Sequence, residues 1–568
     1  MRTRFTLILC LLMSFPSLLL AQNPKWAEKA REAVLTIMCY DDSGSLLRSG
    51  NAFLVNEDGT ALSDYNLFKG AASATAVTAL GEQVSVTEII GANDLYDFIK
   101  FRVDVSKIKK PVALELSATP LRVGEKVYLL PYSTQKKFTL QTGSVQEVSK
   151  AGASYSYYTL GMEIPEKMTS CPLLTEDGKV SALAQPTTTA GSRTAYGVDA
   201  RFADALSTSA LGFTDETLQT IGIDQALPDN EEQALAMVYM ASTTAPRASY
   251  ERILERFLQR YPSSVEGLMR RATSQIEKSV EAESMKEVEA DLNRAESLEP
   301  ENNNLLYLRA SLIYSYLLTV AQKDAYEGWN LERALEYIDR ALAVSPAGSS
   351  YKLKGDILYA MGSYDKALEA FNAANATSEK NALTFYSAAR CKEQLEDYDG
   401  ALALMDSCMS TFTYPFTQEG AAYLYEHARI CGLQGNYRQA FNDYVLYENL
   451  ASVAKEASFY YDRSVAALQI RNYQTALQDL ERAMEMEPDD LDFKAQYAVV
   501  NMRVGRNQQA VDVLTQAIAS APDRADLYRL RGLAMTQMKD KKGARENFQK
   551  AIDLGDDQAP ALLEKYAK

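Results

Sequence analysis

Residues 472–488, NYQTALQDLERAMEMEP, recur at a fixed interval of 34 residues, as RNQQAVDVLTQAIASAP from Arg506 and as DKKGARENFQKA from Asp540. Each copy has an alanine, a large apolar residue four positions later and a second alanine three positions after that: Ala476, Leu480, Ala483; Ala510, Leu514, Ala517; Ala544, Phe548, Ala551. A fixed period of this length indicates one supersecondary unit stacked on copies of itself, because a single unit cannot bury its own apolar face. Such arrays are typical of binding surfaces rather than of active sites.

The same pattern extends towards the N-terminus. SYDKALEAFNAA, DYDGALALMDSC and NYRQAFNDYVLY repeat it around Ala367, Ala401 and Ala440. A small residue stands twelve positions before each anchoring alanine: Gly355, Ala389, Ala428, Ser464, Ala498 and Gly532. Apolar spacings of three and four predict helices. We expect the small residue of a first helix to let the second helix approach closely, and the large residue of the second helix to fill the space beside it.

These features resemble the tetratricopeptide repeat (TPR), a unit of two antiparallel helices. An aromatic residue precedes the second helix of four units, at Tyr364, Tyr398, Tyr437 and Tyr473. Pro346, Pro488 and Pro522 fall where that family usually ends a repeat. The resemblance implies an all-α solenoid of about nine units over residues 231–558, with a cap helix over residues 559–568.

The resemblance also implies a binding groove. In that family the fifth position of each unit often points into the concave groove, and here the residues at such positions include Lys352, Tyr386, Tyr425, Tyr461 and Arg529. Three tyrosines in successive units would form a row able to stack on, or hydrogen-bond to, an extended peptide. The alternative is that these tyrosines only pad contacts between helices.

Residues 25–210 have a different character. Short β-prone runs such as NAFLV, VSVTEII and KVYLLPY alternate with turns rich in Gly, Asp and Ser. Many short strands without helical periodicity predict an all-β barrel or sandwich. Residues 211–230 are predicted as a linker, or as a short docked helix.

Three segments of this first domain are similar to trypsin-like serine peptidases, in the expected order. SGNAFLVNEDGTALSDYNLFKGA resembles the segment that carries the catalytic histidine, NDLYDFIKFRV the segment with the aspartate, and KMTSCPLLTEDGKVSALAQP the segment with the nucleophile. The resemblance implies a double β-barrel and places Asn66, Asp97 and Thr169 at the three catalytic positions, with Ser170 at the nucleophile position if the register slips by one.

Those substitutions remove the expected chemistry. Asn66 cannot accept a proton from a nucleophile near neutral pH. Lys167 replaces the glycine whose backbone helps to form the oxyanion hole. The chain has a single histidine, His427, which lies in the repeats, so no Ser-His-Asp triad can form in the first domain. The sequence therefore predicts no catalytic residues there, and the first domain is predicted to be a pseudopeptidase.

No cofactor is predicted either. There is no phosphate-binding glycine loop, zinc signature or dinucleotide fingerprint. His427 and Cys431, spaced i and i+4 on one helix, offer two metal ligands without a clear third or fourth, so the sequence predicts no metal site.

The N-terminus predicts export. Residues 1–21 carry Arg2 and Arg4, an apolar run and a small residue before Gln22, as a secretory signal peptide does. We expect the protein in the periplasm or cell envelope, or secreted.

The formal net charge of −16 argues against nucleic acid and anionic lipid as partners. The compartment would permit a disulfide between Cys408 and Cys431, although buried free cysteines are commoner.

The sequence therefore favours an exported, non-catalytic scaffold that binds a protein or peptide in the TPR groove. Two alternatives stay open: an atypical serine or threonine peptidase guided to its substrates by the repeats, and a structural component of an envelope or secretion assembly.

Overall fold

The computed structural model describes residues 23–134, 138–151, 154–187, 192–320, 325–452 and 454–566. The predicted signal peptide, residues 1–21, lies outside the described residues. The chain divides into two compact units, Met1–Ser274 and Gln275–Lys568. No helix among the described residues is both long and apolar enough to cross a membrane.

The first unit begins with the short helix α1 (Ala27–Ala30) and a closed antiparallel barrel, whose strands run in the order β1-β2-β3-β6-β5-β4. Their bounds are β1 Val34–Tyr40, β2 Leu46–Leu54, β3 Thr60–Ser63, β4 Ser73–Thr78, β5 Gln83–Asn93 and β6 Phe98–Val103. A four-residue helix, α2 (Tyr65–Phe68), follows β3 and carries the first predicted catalytic position, Asn66.

A second closed antiparallel barrel follows, with strands in the order β10-β11-β12-β9-β8-β7. Their bounds are β7 Lys126–Leu129, β8 Gln141–Ala151, β9 Tyr155–Leu160, β10 Pro172–Leu174, β11 Val180–Gln185 and β12 Ala195–Asp199. Closure of both sheets pairs every edge strand, which stabilises short strands that would be marginal alone. The predicted all-β double barrel is confirmed.

Residues 211–230 pack on the first barrel. After the short helix α3 (Glu216–Gln219), Ile221 and Ile223 are buried in the core of that barrel, and Gln225 forms a parallel bridge with Ile89 of β5. The segment predicted as a linker or as a short docked helix therefore packs on the first barrel through Ile221, Ile223 and Gln225.

Helices make up the rest of the described chain. The first unit contains α4 (Glu231–Thr244) and α5 (Arg247–Arg260), and α6 (Val265–Lys278) runs across the division between the units. Arg256 of α5 donates to Glu88 of β5 at 2.5 Å and to the carbonyl of Gln225 at 2.9 Å, which ties the first helices to the barrel.

The second unit is all-α. Its helices are α7 Ala282–Leu298, α8 Asn303–Thr319, α9 Leu331–Val344, α10 Gly348–Ala360, α11 Tyr364–Asn375, α12 Ala382–Gln394, α13 Tyr398–Met409, α14 Gln418–Leu433, α15 Tyr437–Leu450, α16 Ala457–Gln469, α17 Tyr473–Met486, α18 Leu491–Arg503, α19 Asn507–Ser520, α20 Ala525–Gln537, α21 Lys541–Asp553 and α22 Ala559–Tyr566. From α8 to α21 consecutive helices pack as pairs, α8 with α9, α10 with α11 and so on. The predicted helical repeat fold is confirmed.

Close approach within the pairs depends on the small residues of the first helices. A Cβ added to Gly355 would lie 2.5 Å from Phe371, and one added to Gly532 would lie 2.7 Å from Phe548. Phe371 and Phe548 are almost completely buried, so each ring occupies the space that its glycine leaves.

Candidate functional site

The barrel unit brings the predicted catalytic positions together. The backbone N–H of Asn66 donates to Oδ1 of Asp97 at 2.8 Å. Asp97 adopts a left-handed φ of 48°, which turns its carboxylate towards α2. Asp97, Thr169 and Ser170 line one cavity of about 270 Å³. The backbone of Asn66 thus lies beside Asp97, and Asp97 shares a cavity with Thr169 and Ser170.

The hydroxyl and backbone amides that acyl transfer would use are hydrogen-bonded to nearby backbone carbonyls. The hydroxyl of Thr169 donates to the carbonyl of Glu166 at 2.6 Å, and the backbone N–H of Thr169 donates to the same carbonyl at 3.0 Å. The N–H of Met168 donates to the carbonyl of Pro165 at 2.8 Å. These bonds close a 3-10 turn over Glu166–Met168, so the Met168 and Thr169 amides are not free to stabilise an oxyanion.

Ser170 is buried and structural in its contacts. It is 1% exposed, and its hydroxyl donates to Oδ2 of Asp64 at 2.8 Å. Burial, and then repulsion from Asp97, raises the pKa of Asp64. Asn51 holds the neighbouring loop by donating to the carbonyls of Lys167 and Thr169, both at 2.9 Å.

The repeat unit contains a second cavity, of about 460 Å³, which we call the tyrosine pocket. It is lined by residues of α12, α14 and the end of α15: Leu383, Tyr386, Gln418, Ala421, Ala422, Tyr423, Tyr425, Glu426, Tyr447, Ala451 and Ser452. Four of these are tyrosines. Their rings form two edge-on or tilted pairs, Tyr386 with Tyr423 at 5.8 Å and Tyr425 with Tyr447 at 5.3 Å between centroids.

Ion pairs and hydrogen bonds lie beside the tyrosine pocket. Arg429 donates to both carboxylate oxygens of Glu393, at 2.6 and 2.7 Å, and to Glu426 at 3.1 Å. The hydroxyl of Tyr425 donates to Asp462 at 3.0 Å. Burial raises the pKa of Tyr425 and of Asp462. The Tyr425 ring is therefore held by a hydrogen bond before any ligand arrives, which lowers the entropic cost of binding.

The five predicted groove residues do not all lie together. Tyr386 and Tyr425 line the tyrosine pocket, whereas the Tyr461 ring packs on Phe493 with centroids 5.2 Å apart. Lys352 pairs with Asp356 at 2.6 Å, and Arg529 pairs with Asp556 at 2.7 Å. Sequence reasoning missed Tyr423 and Tyr447, because the family pattern singles out one position per unit and ignores the second helices.

The cysteines form no disulfide among the described residues. Cys39, Cys171, Cys391, Cys408 and Cys431 are all buried free thiols. Burial raises the pKa of Cys171 to about 12, which disfavours a thiolate nucleophile beside the degenerate catalytic positions.

Two successive closed barrels of six antiparallel strands resemble a trypsin-like protease fold, and the paired helices are those of a repeat protein. The chain carries tetratricopeptide repeats. The Tetratricopeptide repeat family model matches residues 467–534. A model described as Anaphase-promoting complex, cyclosome, subunit 3 matches residues 329–408.

Similar proteins match parts of the chain. A TPR repeat-containing protein of Methanocaldococcus jannaschii is 24% identical over 221 residues, and the match covers 38% of this chain and 38% of that relative's length. The solved structure of YrrB, a TPR protein with an unusual peptide-binding site, covers 35% of this chain and 98% of its own, at 20% identity and a TM-score of 0.30. A serine endoprotease from Yersinia pestis covers 32% of this chain and 62% of its own, at 14% identity and a TM-score of 0.27.

Proposed function

We propose that this chain is an exported, non-catalytic scaffold that binds an extended segment of a protein partner in its TPR region. The observation that carries the proposal is the tyrosine pocket, a preformed concave site with four tyrosines on helices of consecutive units. Its volume of about 460 Å³ lies within the range of about 300–1,000 Å³ that is usual for ligand sites.

The chemistry of the pocket suits a peptide. Tyrosine offers a large apolar face at low entropic cost and a hydroxyl for hydrogen bonds, and it is enriched among the residues that dominate binding energies. Gln418 and Ser452 at the rim supply further polar groups for a peptide backbone.

The first domain supports the non-catalytic part of the proposal. The Thr169 hydroxyl and amide both donate to Glu166, and Ser170 is buried against Asp64. The one histidine of the sequence, His427, lies in the other compact unit. The histidine that acts as general base in a Ser-His-Asp triad is therefore absent from the described residues that line that cavity, although Asp64 and Asp97 are among them.

Export rests on the sequence of residues 1–21, and the acidic charge favours a protein partner over nucleic acid. Processing at Ala21 is checked by mass spectrometry of the protein recovered from the envelope and medium of its own cells. Recovery of the intact N-terminus in the cytoplasm would contradict export.

Peptides selected from a display library against the wild-type protein test the binding function. We expect the double variant Tyr386→Ala/Tyr425→Ala to bind the selected peptides at least about 30-fold more weakly, as loss of aromatic anchors worth about 2 kcal/mol requires. Tyr414→Ala is the matched control, because Tyr414 is 75% exposed and does not line the pocket. Equal affinity of the double variant and the control for every selected peptide would contradict the proposal.

A fluorophosphonate probe and casein test the remaining enzyme hypothesis. We expect no labelling of the first domain and no cleavage. Covalent labelling at Thr169 or Ser170, lost on substitution by alanine, would establish a peptidase instead.

A further inference from the structure

Two helices of one repeat bring three metal-binding side chains together. His427 and Cys431 lie one turn apart on α14, and Asp443 lies opposite on α15. Nδ1 of His427 lies 2.7 Å from Oδ2 of Asp443 and 3.8 Å from Sγ of Cys431, and the three ligand atoms all lie within 4.8 Å of one another. All three residues are buried, with 6%, 0% and 3% exposure for His427, Cys431 and Asp443. The structure thus supplies the third ligand that the i, i+4 pair lacked in the sequence.

The second ring nitrogen of His427 also has a carboxylate partner. Nε2 of His427 lies 3.0 Å from Oδ1 of Asp406 on α13. A metal-binding histidine almost always donates its second ring N–H to a carboxylate or carbonyl, which fixes the tautomer and aims the free nitrogen at the metal. Oδ1 of Asp443 accepts from Gln439 at 2.9 Å, which leaves Oδ2 facing the histidine and the cysteine.

The next unit shows which residues occupy the corresponding positions where this histidine and cysteine are absent. The residues 36 positions further along are Arg463, Ala467 and Asp479, and Arg463 donates to Asp479 at 2.9 and 2.7 Å. The next unit therefore has an arginine that bonds Asp479 and Glu448, with alanine in place of the thiol. His427 and Cys431 depart from that arrangement together.

We propose that His427 Nδ1, Cys431 Sγ and Asp443 Oδ2 bind a divalent transition metal ion of the zinc class, with Asp406 as the outer partner of the imidazole. A nitrogen, sulfur and oxygen set selects a borderline-soft ion such as Zn²⁺, whereas Ca²⁺ and Mg²⁺ take oxygen ligands. Water completes four-coordination.

The geometry needs a small adjustment. Tetrahedral Zn²⁺ with bonds of about 2.0–2.3 Å places its ligand atoms about 3.3–3.8 Å apart. The spacing of Nδ1 and Sγ matches this range, and Oδ2 of Asp443 has to move away from Nδ1 by less than about 1 Å. As the ion binds, the proton between Nδ1 and Oδ2 and the thiol proton of Cys431 pass to solvent, and no oxidation state changes.

When no metal is bound, the same contacts hold an imidazolium. Burial lowers the pKa of His427, but the hydrogen bond to Asp443 and the contact with Cys431 outweigh burial and raise the pKa to about 10. The metal would join α14 to α15, the two helices that carry Tyr425 and Tyr447 of the tyrosine pocket. The site does not depend on peptide binding.

Metal titration of the full chain, treated with a chelator and then freed of it, tests the proposal. We expect calorimetry to give one equivalent of tightly bound Zn²⁺, and Co²⁺ to give the visible bands of a tetrahedral site together with a thiolate charge-transfer band. A Co²⁺ spectrum of the wild-type protein without thiolate bonding would overturn the proposal, and this readout needs no variant.

Matched variants separate a metal site from an ion pair. Cys431→Ala, which introduces the residue found in the next unit, should weaken Zn²⁺ binding by at least about 100-fold, whereas Cys391→Ala, at another buried thiol, should bind as the wild type does. Asp406→Asn should weaken binding by about 10- to 100-fold. The double variant His427→Arg/Cys431→Ala introduces the arginine and alanine of the next unit and should abolish Zn²⁺ binding. Equal Zn²⁺ affinity of Cys431→Ala and the wild type would overturn the proposal.

Discussion

Small residues on the first helices of the repeats face large residues on the second helices. Glycine faces phenylalanine in two units, Gly355 with Phe371 and Gly532 with Phe548. In another unit the first helix has alanine, Ala498, instead of glycine, and the second helix has leucine, Leu514, instead of phenylalanine. In these three units the smaller first-helix residue accompanies the larger second-helix residue, as close packing of two helices favours.

The glycine–phenylalanine contact predicts the effect of adding one methyl group. Gly532→Ala should lower the free energy of unfolding by about 1–3 kcal/mol, because the new Cβ would overlap Phe548. Phe548→Leu in the same chain should recover part of the loss, since alanine with leucine is the pair of the neighbouring unit. Urea unfolding of the single and double variants measures both effects, and strictly additive losses would contradict the packing argument.

A buried carboxylate in the first barrel gives a pH-dependent prediction. Burial and Asp97 raise the pKa of Asp64 above its value of about 3.9 in the unfolded chain. The fold therefore prefers the protonated form, and this stabilisation is lost as the pH rises through the folded-state pKa. Asp64→Asn keeps both hydrogen-bonding positions without a charge, so its free energy of unfolding relative to the wild type should increase from pH 4 to pH 7.

Urea unfolding at the two pH values measures this difference. Asp94→Asn, at an exposed aspartate of the same barrel, controls for the loss of one surface charge. Destabilisation of Asp64→Asn at pH 7 relative to pH 4 would show that the ionised carboxylate is needed.

At the scale of elements, the turns between paired helices share one backbone conformation. Glycine adopts the left-handed conformation at Gly362, Gly435 and Gly505, whereas Arg471 and Lys539 adopt it with φ of 63° and 66°. A side chain in this conformation costs about 1 kcal/mol, and glycine does not incur that cost. The turns with Arg471 and Lys539 are therefore less stable than their glycine counterparts.

Exchange of residues between these turns tests that conclusion. Arg471→Gly should raise the free energy of unfolding by up to about 1 kcal/mol, and Gly505→Ala should lower it by about 1 kcal/mol. A Cβ at Gly505 meets no atom within 4 Å, so its cost would come from the backbone alone. Chemical denaturation monitored by circular dichroism gives both values. A stabilised Gly505→Ala variant would refute the explanation.

The elements differ in how far the sequence could predict them. The helix pairs could be predicted from the 34-residue period, because each apolar residue recurs on the same face of its helix. Residues 211–230 are predicted as a linker or as a short docked helix, since Ile221 and Ile223 are too few to form a periodic pattern, and both are buried on the first barrel.

The candidate site shows the same limit. Tyr386 and Tyr425 could be predicted from their repeated position, while Tyr447 lies on a second helix outside that pattern. Asp443, sixteen residues after His427, comes within reach of it only when α14 and α15 pack. Contacts across helices depend on packing geometry, which one sequence without its fold does not reveal.

At the scale of the whole molecule, the two units differ in their candidate sites. In the barrel unit the Thr169 and Ser170 hydroxyls donate to Glu166 and Asp64. The repeat unit holds the tyrosine pocket, in which the Tyr425 hydroxyl donates to Asp462 and Glu426 accepts from Arg429. Partner binding by the repeats is the central claim that follows.

Site-specific photo-crosslinking in the protein's own cells tests that claim most directly. A photoreactive phenylalanine analogue replaces Tyr386 in one strain and the exposed Tyr414 in another. We predict a discrete crosslinked protein at Tyr386, absent at Tyr414 and competed by the peptides selected against the wild type. No crosslink at Tyr386, or the same products at both positions, would contradict a partner in the tyrosine pocket.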